Sequence, residues 1–226
     1  MKRAVISFPK SGRTWLRYAL LHAAPRTPIV YTHSGFEYND GLRPPLNFSL
    51  PFHMAHVTKA DRFVFVARDP RDVAVSLYHQ VTGRFQDFFR YSGDISAFIR
   101  DGYFGIDNIV RFQMIWLQIV EMQPKGMVVW YEDMAEDFAR SFGAVAEHME
   151  LGLGAADIAR VSEAARFDNM REVERTGRFP QPWLRLRNGA PKVRKGKVGG
   201  HREELSPEDC AYLDQRIAAL RHPLAA

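Results

Sequence analysis

Residues 7–15 read Ser7-Phe8-Pro9-Lys10-Ser11-Gly12-Arg13-Thr14-Trp15 and join two apolar segments of different periodicity. The run Ala4-Val5-Ile6 before them has the composition of a buried strand, whereas residues 15–21 are apolar at helical spacing. A strand that breaks at Pro9 and Gly12 and passes into a helix leaves unpaired backbone N–H groups at the start of that helix. With Lys10 and Arg13 beside them, these groups form a suitable site for a phosphate-like anion. The alternative is a basic turn between two core elements.

The length and composition predict one domain, residues 1–226, with enough apolar sequence for a core. The net charge of +5 favours an anionic ligand and does not require nucleic acid. Cys210 is the only cysteine, which excludes an internal disulfide and a cysteine-rich metal site. No apolar run reaches the roughly 18 residues needed to span a bilayer, and the first one is cut by Pro9-Lys10 too early for a signal peptide. We therefore expect no membrane span and a cytoplasmic protein.

Strands and helices alternate along the predicted secondary structure. Apolar runs rich in β-branched residues predict strands at residues 3–8, 28–32, 62–67 and 127–131. Helical patterns occupy residues 14–23, 73–81, 95–101, 106–122, 136–150, 155–165, 167–174 and 206–220, where Asp69 and Ser206 are expected to cap helices. This alternation predicts an α/β fold in which a central parallel sheet is flanked by helices on both faces.

Two long segments have no regular pattern. Residues 34–51 contain Gly35, Asn39-Asp40-Gly41 and Pro44-Pro45, and are expected to form a loop at the rim of the substrate site. Residues 177–200 hold seven Lys or Arg side chains and no Asp or Glu, and three prolines interrupt them. This second segment is predicted to be an irregular basic loop.

The opening loop can be compared with the P-loop pattern G-x-x-x-x-G-K-[ST]. Gly12-Arg13-Thr14 falls where Gly-Lys-Thr would be, but Ser7 stands in place of the first glycine. The strand at residues 62–67 is followed by Arg68, where a nucleotidase would carry an Asp that holds Mg²⁺. The loop thus looks like a P-loop in which positive side chains have replaced the metal site, and metal-free transfer of an anionic group fits that change.

A second anion site is predicted from two further segments. Arg68 and Ser76, spaced Arg-x₇-Ser, can reach one anion if the helix after the strand packs back over it. Residues 194–200, Arg-Lys-Gly-Lys-Val-Gly-Gly, combine cationic side chains with a backbone that is free to wrap a phosphate. The alternatives are that Arg71 and Asp72 are solvated charges at a helix start, and that residues 194–200 form a disordered basic loop.

Together these segments resemble the sulfotransferases that use 3′-phosphoadenosine 5′-phosphosulfate (PAPS). Residues 9–15 look like the 5′-phosphosulfate loop of that family, residues 66–76 like its 3′-phosphate strand and helix, and residues 194–199 like its late loop. Tyr131-Glu132-Asp133 and the pair Phe167 and Met170 are similar to family segments beside the adenine. The motifs stand in family order from residue 9 to residue 200.

The resemblance implies a P-loop-containing nucleotide hydrolase-like fold and a metal-free reaction. A sulfuryl group would pass in line from PAPS to a hydroxyl or amine of a small-molecule or glycan acceptor, with 3′,5′-ADP (PAP) as the product. Lys10 would stabilise the charge on the bridging oxygen of the leaving phosphate, and Ser76 would serve both catalysis and binding. The remaining contacts to PAPS would come from Ser11, Gly12, Arg13 and Thr14 at the 5′-phosphate, Arg68, Ser76, Arg194, Lys195 and Gly196 at the 3′-phosphate, and Trp15, Tyr131 and Phe167 at the adenine.

A general base is also needed to take the proton of the acceptor. The family usually places a histidine just after the second strand, often preceded by threonine, and Tyr31-Thr32-His33 fits that description. His33 is therefore the expected base, and His53 and His56 are the alternatives. His79 and His201 are expected to be surface or structural residues.

Departures from the family pattern concern the end of the chain. Gly200-His201-Arg202 stands where the late loop usually continues with Asp-Trp-Lys, and the C-terminal dimer motif of cytosolic members is not recognisable in residues 202–211. The sequence therefore leaves the oligomeric state open. The acceptor is also open. Three variable loops, residues 34–51, 80–93 and 177–191, are expected to build its pocket, and their aromatic residues indicate a partly apolar acceptor: Phe36, Tyr38, Phe85, Phe88, Phe89, Tyr91 and Trp183.

Two other functions compete with this interpretation. A P-loop kinase of a small molecule would need ATP and Mg²⁺, and the missing glycine and the missing acid after the strand speak against it. A nucleic-acid-binding module would use residues 177–200 with Phe179 and Trp183 as stacking residues. Basic charge confined to one loop disfavours that module, so no nucleic acid partner is expected.

Overall fold

The computed structural model describes residues 1–38 and 42–225. In this part of the chain four strands form one parallel sheet in the order β2-β1-β3-β4. Their bounds are Arg3–Ser7 for β1, Ile29–Thr32 for β2, Arg62–Ala67 for β3 and Gly126–Trp130 for β4. The predicted α/β fold is confirmed, and each predicted strand agrees with the structure to within one residue at either end.

Helices fill the segments between and after the strands. They are α1 Arg13–Ala23, α2 Leu50–Ala55, α3 Pro70–His79, α4 Gln86–Phe89, α5 Ile95–Ile99, α6 Ile106–Met122, α7 Tyr131–Glu136, α8 Phe138–His148, α9 Ala155–Ala164, α10 Phe167–Thr176 and α11 Pro207–Ala219. A π-helical turn at Gln80–Arg84 follows α3, and a 3₁₀ turn at Gly200–Glu203 precedes α11. In the π-helical turn the backbone N–H of Phe85 donates to the carbonyl of Gln80 at 2.9 Å, one residue further than in an α-helix.

Helix caps explain where prediction and structure agree and where they differ. The side chain of Asp69 accepts from the backbone N–H of Arg71, and that of Ser206 accepts from the N–H of Asp209, so both predicted caps are confirmed. The predicted helix at residues 136–150 is wrong in one respect, because Asp137 starts a new helix there by accepting from the N–H of Arg140. The predicted loop at residues 34–51 includes the first residues of α2, and its Asn39-Asp40-Gly41 lies outside the described residues.

The sheet separates two apolar clusters because successive strand residues point to opposite faces. Ala4, Ile6, Phe63 and Phe65 belong to one cluster, with buried residues of α3, α6 and α11. Val5, Val64 and Val66 belong to the other, with buried residues of α1, α8 and α9. Helix α6, whose apolar stripe includes the fully buried Trp116, is therefore part of the core.

The carboxyl ends of the strands meet at one edge of the sheet. The register pairs Ile6 of β1 with Thr32 and with Phe65, and Val66 with Val129. Residues immediately after the strands are therefore brought together although they are far apart in the chain, and such an edge is where open parallel sheets bind ligands. The residues that follow the strand ends include Lys10, His33, Arg68 and Tyr131.

Candidate active site

A cleft of about 470 Å³ lies at this edge of the sheet. The predicted site residues that line it are Lys10, Gly12, Arg13, Thr14, Trp15, His33, Arg68, Ser76, Tyr131, Phe167, Arg194, Lys195 and Gly196. Ser11 does not line the cleft, because its side chain is buried beneath the loop; its hydroxyl has no hydrogen-bond partner within the described residues. The structure thus brings together residues from six separate segments of the chain.

The loop between β1 and α1 adopts an unusual backbone conformation. Lys10 has a φ of 73° and Gly12 a φ of 98°, both in the left-handed region. A Cβ at Gly12 would lie 2.6 Å from Cδ2 of Tyr131, so only glycine fits this position. For Lys10 the conformation is unfavourable, and it is stabilised by a hydrogen bond from Nη1 of Arg68 to the Lys10 carbonyl at 3.2 Å.

The ammonium group of Lys10 is held in a position where its charge is unfavourable. Burial, together with the charges of Lys192, Arg84, Arg68 and Arg194, lowers the pKa of Lys10 to about 7. A bound anion would supply the opposite charge that this group lacks. Lys10 is therefore suited to stabilising negative charge that forms in the cleft.

His33 has a defined tautomer. Its Nε2 lies 2.7 Å from Nη2 of Arg13, and its Nδ1 lies 2.7 Å from the carbonyl oxygen of Ser7. A guanidinium group can only donate, so Nε2 accepts and the proton sits on Nδ1, which donates to Ser7. Burial and the charge of Arg13 lower the pKa of His33 well below its usual value. The imidazole is therefore neutral, and the side chain of Arg13 covers its unprotonated Nε2.

The two alternative bases lie elsewhere. His53 is buried, its Nδ1 is 2.7 Å from Oγ of Ser34, and its Nε2 is 2.8 Å from the carbonyl of Asn47. His56 is exposed beside the ring of Phe52. Of the three candidate bases, the structure brings only His33 to the cleft.

Asp72 connects the start of α3 to the basic loop of residues 194–200. Its carboxylate accepts from the backbone N–H groups of Gly199 at 2.8 Å and His201 at 3.0 Å, and from Nδ1 of His201 at 2.8 Å. Nη2 of Arg68 lies 3.5 Å from the same carboxylate. Burial opposes ionisation, but these hydrogen bonds and the charge of Arg68 lower the pKa of Asp72 overall. His201 is therefore structural, as predicted.

The alternative that Arg71 and Asp72 are solvated charges is wrong. Both side chains are buried, and Nε of Arg71 donates to Oδ1 of Asp214 at 2.6 Å. The sequence pattern gave no sign of these partners, because they lie more than a hundred residues away along the chain.

The cations of the basic loop are paired with carboxylates. Nη1 of Arg194 and Nζ of Lys195 lie 2.6 and 2.9 Å from Oε1 of Glu204, and Lys197 pairs with Glu203. Although its partial burial acts in the other direction, hydrogen bonds from Lys195, Arg194 and His79 lower the pKa of Glu204 to about 2. The carboxylate therefore stays ionised and holds the two loop cations in place near Arg68.

Aromatic rings form the wall between these two loops. The guanidinium of Arg68 lies 4.1 Å from the ring centroid of Tyr131, and the ring of Trp15 is 5.7 Å from that of Tyr131. Gly196 has a φ of 63°, and a Cβ there would overlap the ring of Phe167. The predicted adenine neighbours are thus packed directly against the two glycine turns.

A second group of four cations lines the cleft at His33 and beyond it. The sequence analysis missed three of the four. We call Arg13, Arg17, Arg84 and Lys192 the inner cations; all of them line the cleft. Burial and the charges of Arg84, Arg13 and Arg17 lower the pKa of Lys192 to about 7. The one available signal was the spacing of Arg17, which follows Arg13 by four residues and so shares its face of α1. Lys192 and Arg84 had no such signal.

The predicted acceptor rim is only partly right. None of the described residues in 34–51 lines the cleft, and Phe36 and Tyr38 are buried in the core cluster with α3 and α6. Phe85 and Trp183 do line it, so the rim comes from the π-helical turn and from residues 182–193. Across the described ranges 1–38 and 42–225, no helix is both long and apolar enough to cross a membrane. Nor does any group of three His, Cys, Asp or Glu side chains in those ranges come close enough to hold a metal ion.

Comparison with known proteins adds independent findings. Residues 2–222 match a family model described as a sulfotransferase domain. Cytosolic sulfotransferase 12 of Arabidopsis thaliana is 25% identical over 254 residues, which cover 94% of this chain and 75% of that protein. Sulfotransferase 2B1 of Homo sapiens is 27% identical over 240 residues, which cover 93% of this chain and 63% of that protein.

Solved structures agree in fold. Mouse sulfotransferase SULT7A1 complexed with PAP superposes with a TM-score of 0.72 at 17% identity, over 98% of this chain and 85% of that one. Retinol dehydratase in complex with androsterone and the inactive cofactor PAP gives 0.69 at 18% identity, over 98% and 81%. Since the family model spans nearly the whole chain, including every motif that lines the cleft, the chain belongs to the sulfotransferases.

Proposed function

We propose that the protein transfers a sulfuryl group from PAPS to a hydroxyl or amine of a small-molecule or glycan acceptor and releases PAP. The observation that carries the proposal is the joining of two anion-binding regions in one cleft, with Lys10 between them. PAPS carries a phosphosulfate at one end and a 3′-phosphate at the other, so its charges match this arrangement. The solved relatives SULT7A1 and retinol dehydratase, both described as complexes with PAP, support the same donor.

The side chains of the cleft fit such a donor. Buried polar atoms of cleft residues that have no partner among the described residues include Nη1 of Arg13 and Nε of Arg68. Buried donors of this kind are costly unless a ligand satisfies them. In the proposal the β1–α1 loop, residues 10–14, holds the 5′-phosphate, and the 3′-phosphate is held by Arg68, Ser76, Arg194, Lys195 and Gly196. Trp15, Tyr131 and Phe167 surround the adenine.

The chemistry follows from the charges of the chain's own residues. PAPS supplies a sulfuryl group whose S–O bond to the 5′-phosphate breaks as the acceptor oxygen or nitrogen attacks. Lys10 neutralises the negative charge left on the bridging oxygen. His33 takes the acceptor proton at Nε2. Ser76 lies on α3 at the cleft surface and donates its hydroxyl to the bound donor.

Proton transfer to His33 requires one rearrangement. Arg13 donates to Nε2 at 2.7 Å, so its guanidinium must leave that nitrogen before an acceptor hydroxyl can reach it. Arg13 follows directly after the loop that holds the 5′-phosphate, which makes the donor a candidate to draw it away. The base is thus covered until the cleft is occupied.

The proposal also includes the domain organisation and the location of the protein. We place all of residues 1–226 in one domain and the reaction in the cytoplasm, since two relatives are named cytosolic sulfotransferases. A small-molecule kinase is not favoured, because Arg68 follows β3 where a Walker-B acid would be needed.

Ligand-induced stabilisation separates the candidate functions. We expect PAP to raise the melting temperature of the purified protein in the presence of EDTA, and ATP with Mg²⁺ to have a smaller effect. Stabilisation by ATP with Mg²⁺ alone would favour the kinase. Stabilisation by an oligonucleotide alone would favour the nucleic-acid-binding module.

A further inference from the structure

The inner cations lie on the side of the cleft away from the paired cations. Strand β2 is the edge strand next to β1, and His33, which follows it, lines the cleft. The guanidinium of Arg17 lies between two rings, 4.7 Å from the centroid of Tyr31 and 4.6 Å from that of Trp183. Tyr131 and Arg68, by contrast, follow β4 and β3. The inner cations therefore surround the space next to His33, where the acceptor must enter.

The protein neutralises these cations only in part. Among the described residues, four cations face two carboxylates, those of Glu37 and Glu174. Glu37 is already occupied by hydrogen bonds from Thr32 and from the backbone N–H of His33. Glu174 lies 3.5 Å from Nη1 of Arg84 and accepts the backbone N–H groups of Lys192 at 2.5 Å and Val193 at 2.9 Å, so it pairs with one of the four cations.

Two donors of the group have no partner among the described residues. Within residues 1–38 and 42–225, the buried Nε atoms of Arg17 and Arg84 make no hydrogen bond. Arg84 is itself 5% exposed and is fixed in the wall of the cleft by bonds to the carbonyls of Arg185 and Ala190. Burying unpaired cations destabilises a protein, so a retained group of them indicates an anionic ligand.

The donor does not account for this charge. The phosphosulfate of PAPS faces Lys10 and the backbone of the β1–α1 loop, and its 3′-phosphate faces the other end of the cleft. Arg17 and Lys192 stand beyond both, against Trp183. A second negative group has to come from the other substrate.

On the basis of the proposed function, we propose that the acceptor is itself an anion. A carboxylate, phosphate ester or sulfate ester on the acceptor binds to Arg17 and Lys192 beside His33. The aromatic faces of Tyr31 and Trp183 hold the two sides of Arg17, so its charge is fixed in direction. An acceptor held at its anionic group presents its hydroxyl or amine to His33. The inner cations thus select the acceptor class.

Binding to the protein saturated with PAP tests the proposal without knowledge of the natural acceptor. The probes are 4-hydroxyphenylacetate, tyrosol and tyramine, which share one frame and carry an anionic, a neutral and a cationic group. Glucuronate and glucose provide a second frame. We expect the anionic member of each frame to bind roughly 10- to 100-fold more tightly than the neutral one, the range for a charge-assisted pair, and tyramine to bind most weakly.

Substitutions locate the effect. Lys192→Met and Arg17→Gln, alone and together, should reduce this preference while the Kd for PAP changes by less than about threefold, which shows that the variants fold. Lys59→Met and Arg160→Gln remove matched exposed charges and should leave the preference intact. Equal binding within both frames, including no detectable binding of any probe, would overturn the proposal, as would a preference that survives the double substitution. Failure of PAP to bind would instead overturn the proposed function, and the acceptor proposal with it.

Discussion

At the end of the cleft near β3 and β4 each cation lies against a carboxylate, whereas at the end near β2 the cations stand with few acids. Arg68 pairs with Asp72, Arg194 and Lys195 with Glu204, and Lys197 with Glu203. Among the described residues the inner cations share two carboxylates, Glu37 and Glu174; both accept backbone N–H groups, and Glu174 also pairs with Arg84. Lys10 lies between the two ends and is influenced by cations from both.

The difference shows two ways of preparing a site for an anion. Paired cations are held rigidly in place at little electrostatic cost, and they give up part of an existing interaction when a phosphate binds. Unpaired buried cations keep their full attraction for an anion, but the empty site is less stable. The first arrangement suits a donor that binds in one geometry, and the second suits the place where charge changes during the reaction.

The first prediction concerns the base at the β2 end. His33→Ala should lower kcat by roughly 10²- to 10⁴-fold, the usual contribution of a general base, because His33 is the one of the three candidate bases that lines the cleft. Sulfate transfer from labelled PAPS, followed with PAP affinity by calorimetry, measures the effect. His56→Ala removes an exposed histidine and serves as the control; loss of activity there with retention in His33→Ala would show that the base is wrongly assigned.

Lys10 lies between the two ends of the cleft, and its substitution should lower kcat more than it weakens the binding of PAP. Lys10→Met should reduce kcat by roughly 10²- to 10³-fold, as removal of one donor to a developing oxyanion does elsewhere. The Kd for PAP should rise by less than about 10-fold, since the paired end still holds the 3′-phosphate. Equal losses in kcat and in PAP affinity would mean that Lys10 acts in binding alone, and Lys59→Met provides the matched lysine control.

The paired end depends on Asp72 for its shape. Asp72→Asn should lower the free energy of unfolding by about 1–3 kcal/mol and weaken PAP binding, because an amide cannot accept all of the hydrogen bonds that fix residues 199–201. The lowered pKa of Asp72 means that its contribution is present above its ordinary pKa and is lost as the pH falls through the lower folded value. Urea unfolding at pH 7 and pH 3 checks both points, since the difference from wild type should shrink at pH 3. Glu136→Gln, an exposed carboxylate, should change neither quantity.

The unpaired lysines predict proton uptake on binding. The pKa of Lys10 and that of Lys192 are both lowered to about 7, so both amines are largely neutral at pH 8. A bound anion raises the pKa of the lysine beside it, so binding of PAPS or PAP at pH 8 should take up protons at Lys10, whereas uptake at Lys192 should accompany binding of the acceptor. Calorimetry in buffers of different ionisation enthalpy measures the uptake, which should fall in Lys10→Met. Proton release at pH 8 would contradict the assignment.

The smallest effect is expected for Arg13, whose guanidinium covers Nε2 of His33. Arg13→Thr removes the cation beside His33, so the pKa of His33 should rise while remaining below its usual value, since burial persists. The acid limb of the kcat/KM profile should then move to higher pH. A limb that does not move would mean that a group other than His33 titrates there, and Arg160→Gln should leave it in place.

Sequence reasoning located the donor end of the cleft better than the inner end, for a physical reason. Lys10, Arg68 and Arg194 lie in contiguous motifs, so residue type and spacing identify them without knowledge of the fold. Asp72 and His201 meet across 129 positions, and Arg84 and Lys192 meet through the packing of two loops. Such pairs carry no local signal.

The fold could be predicted from the sequence for similar reasons. The strands are short β-branched runs, and their parallel order follows from the helices between them. Helix α2 was missed because six residues beginning Leu50-Pro51 are too few to show a helical period. The contact between Arg13 and His33 depends on a side-chain direction that the motif does not encode.

The π-helical turn at Gln80–Arg84 has an evolutionary consequence. It amounts to one extra residue in a helix, and a one-residue deletion within it would restore the α-helical path. The side chains beyond the deletion would keep nearly the same direction relative to α3, because the wider turn already accommodates the extra residue. The effect would therefore come from the residue that is removed, and deletion of Arg84 would take a cation from the cleft wall. Loss of a single codon there could alter what the cleft admits without touching the strand ends. A comparable change at the donor end would need coordinated substitutions in several distant segments.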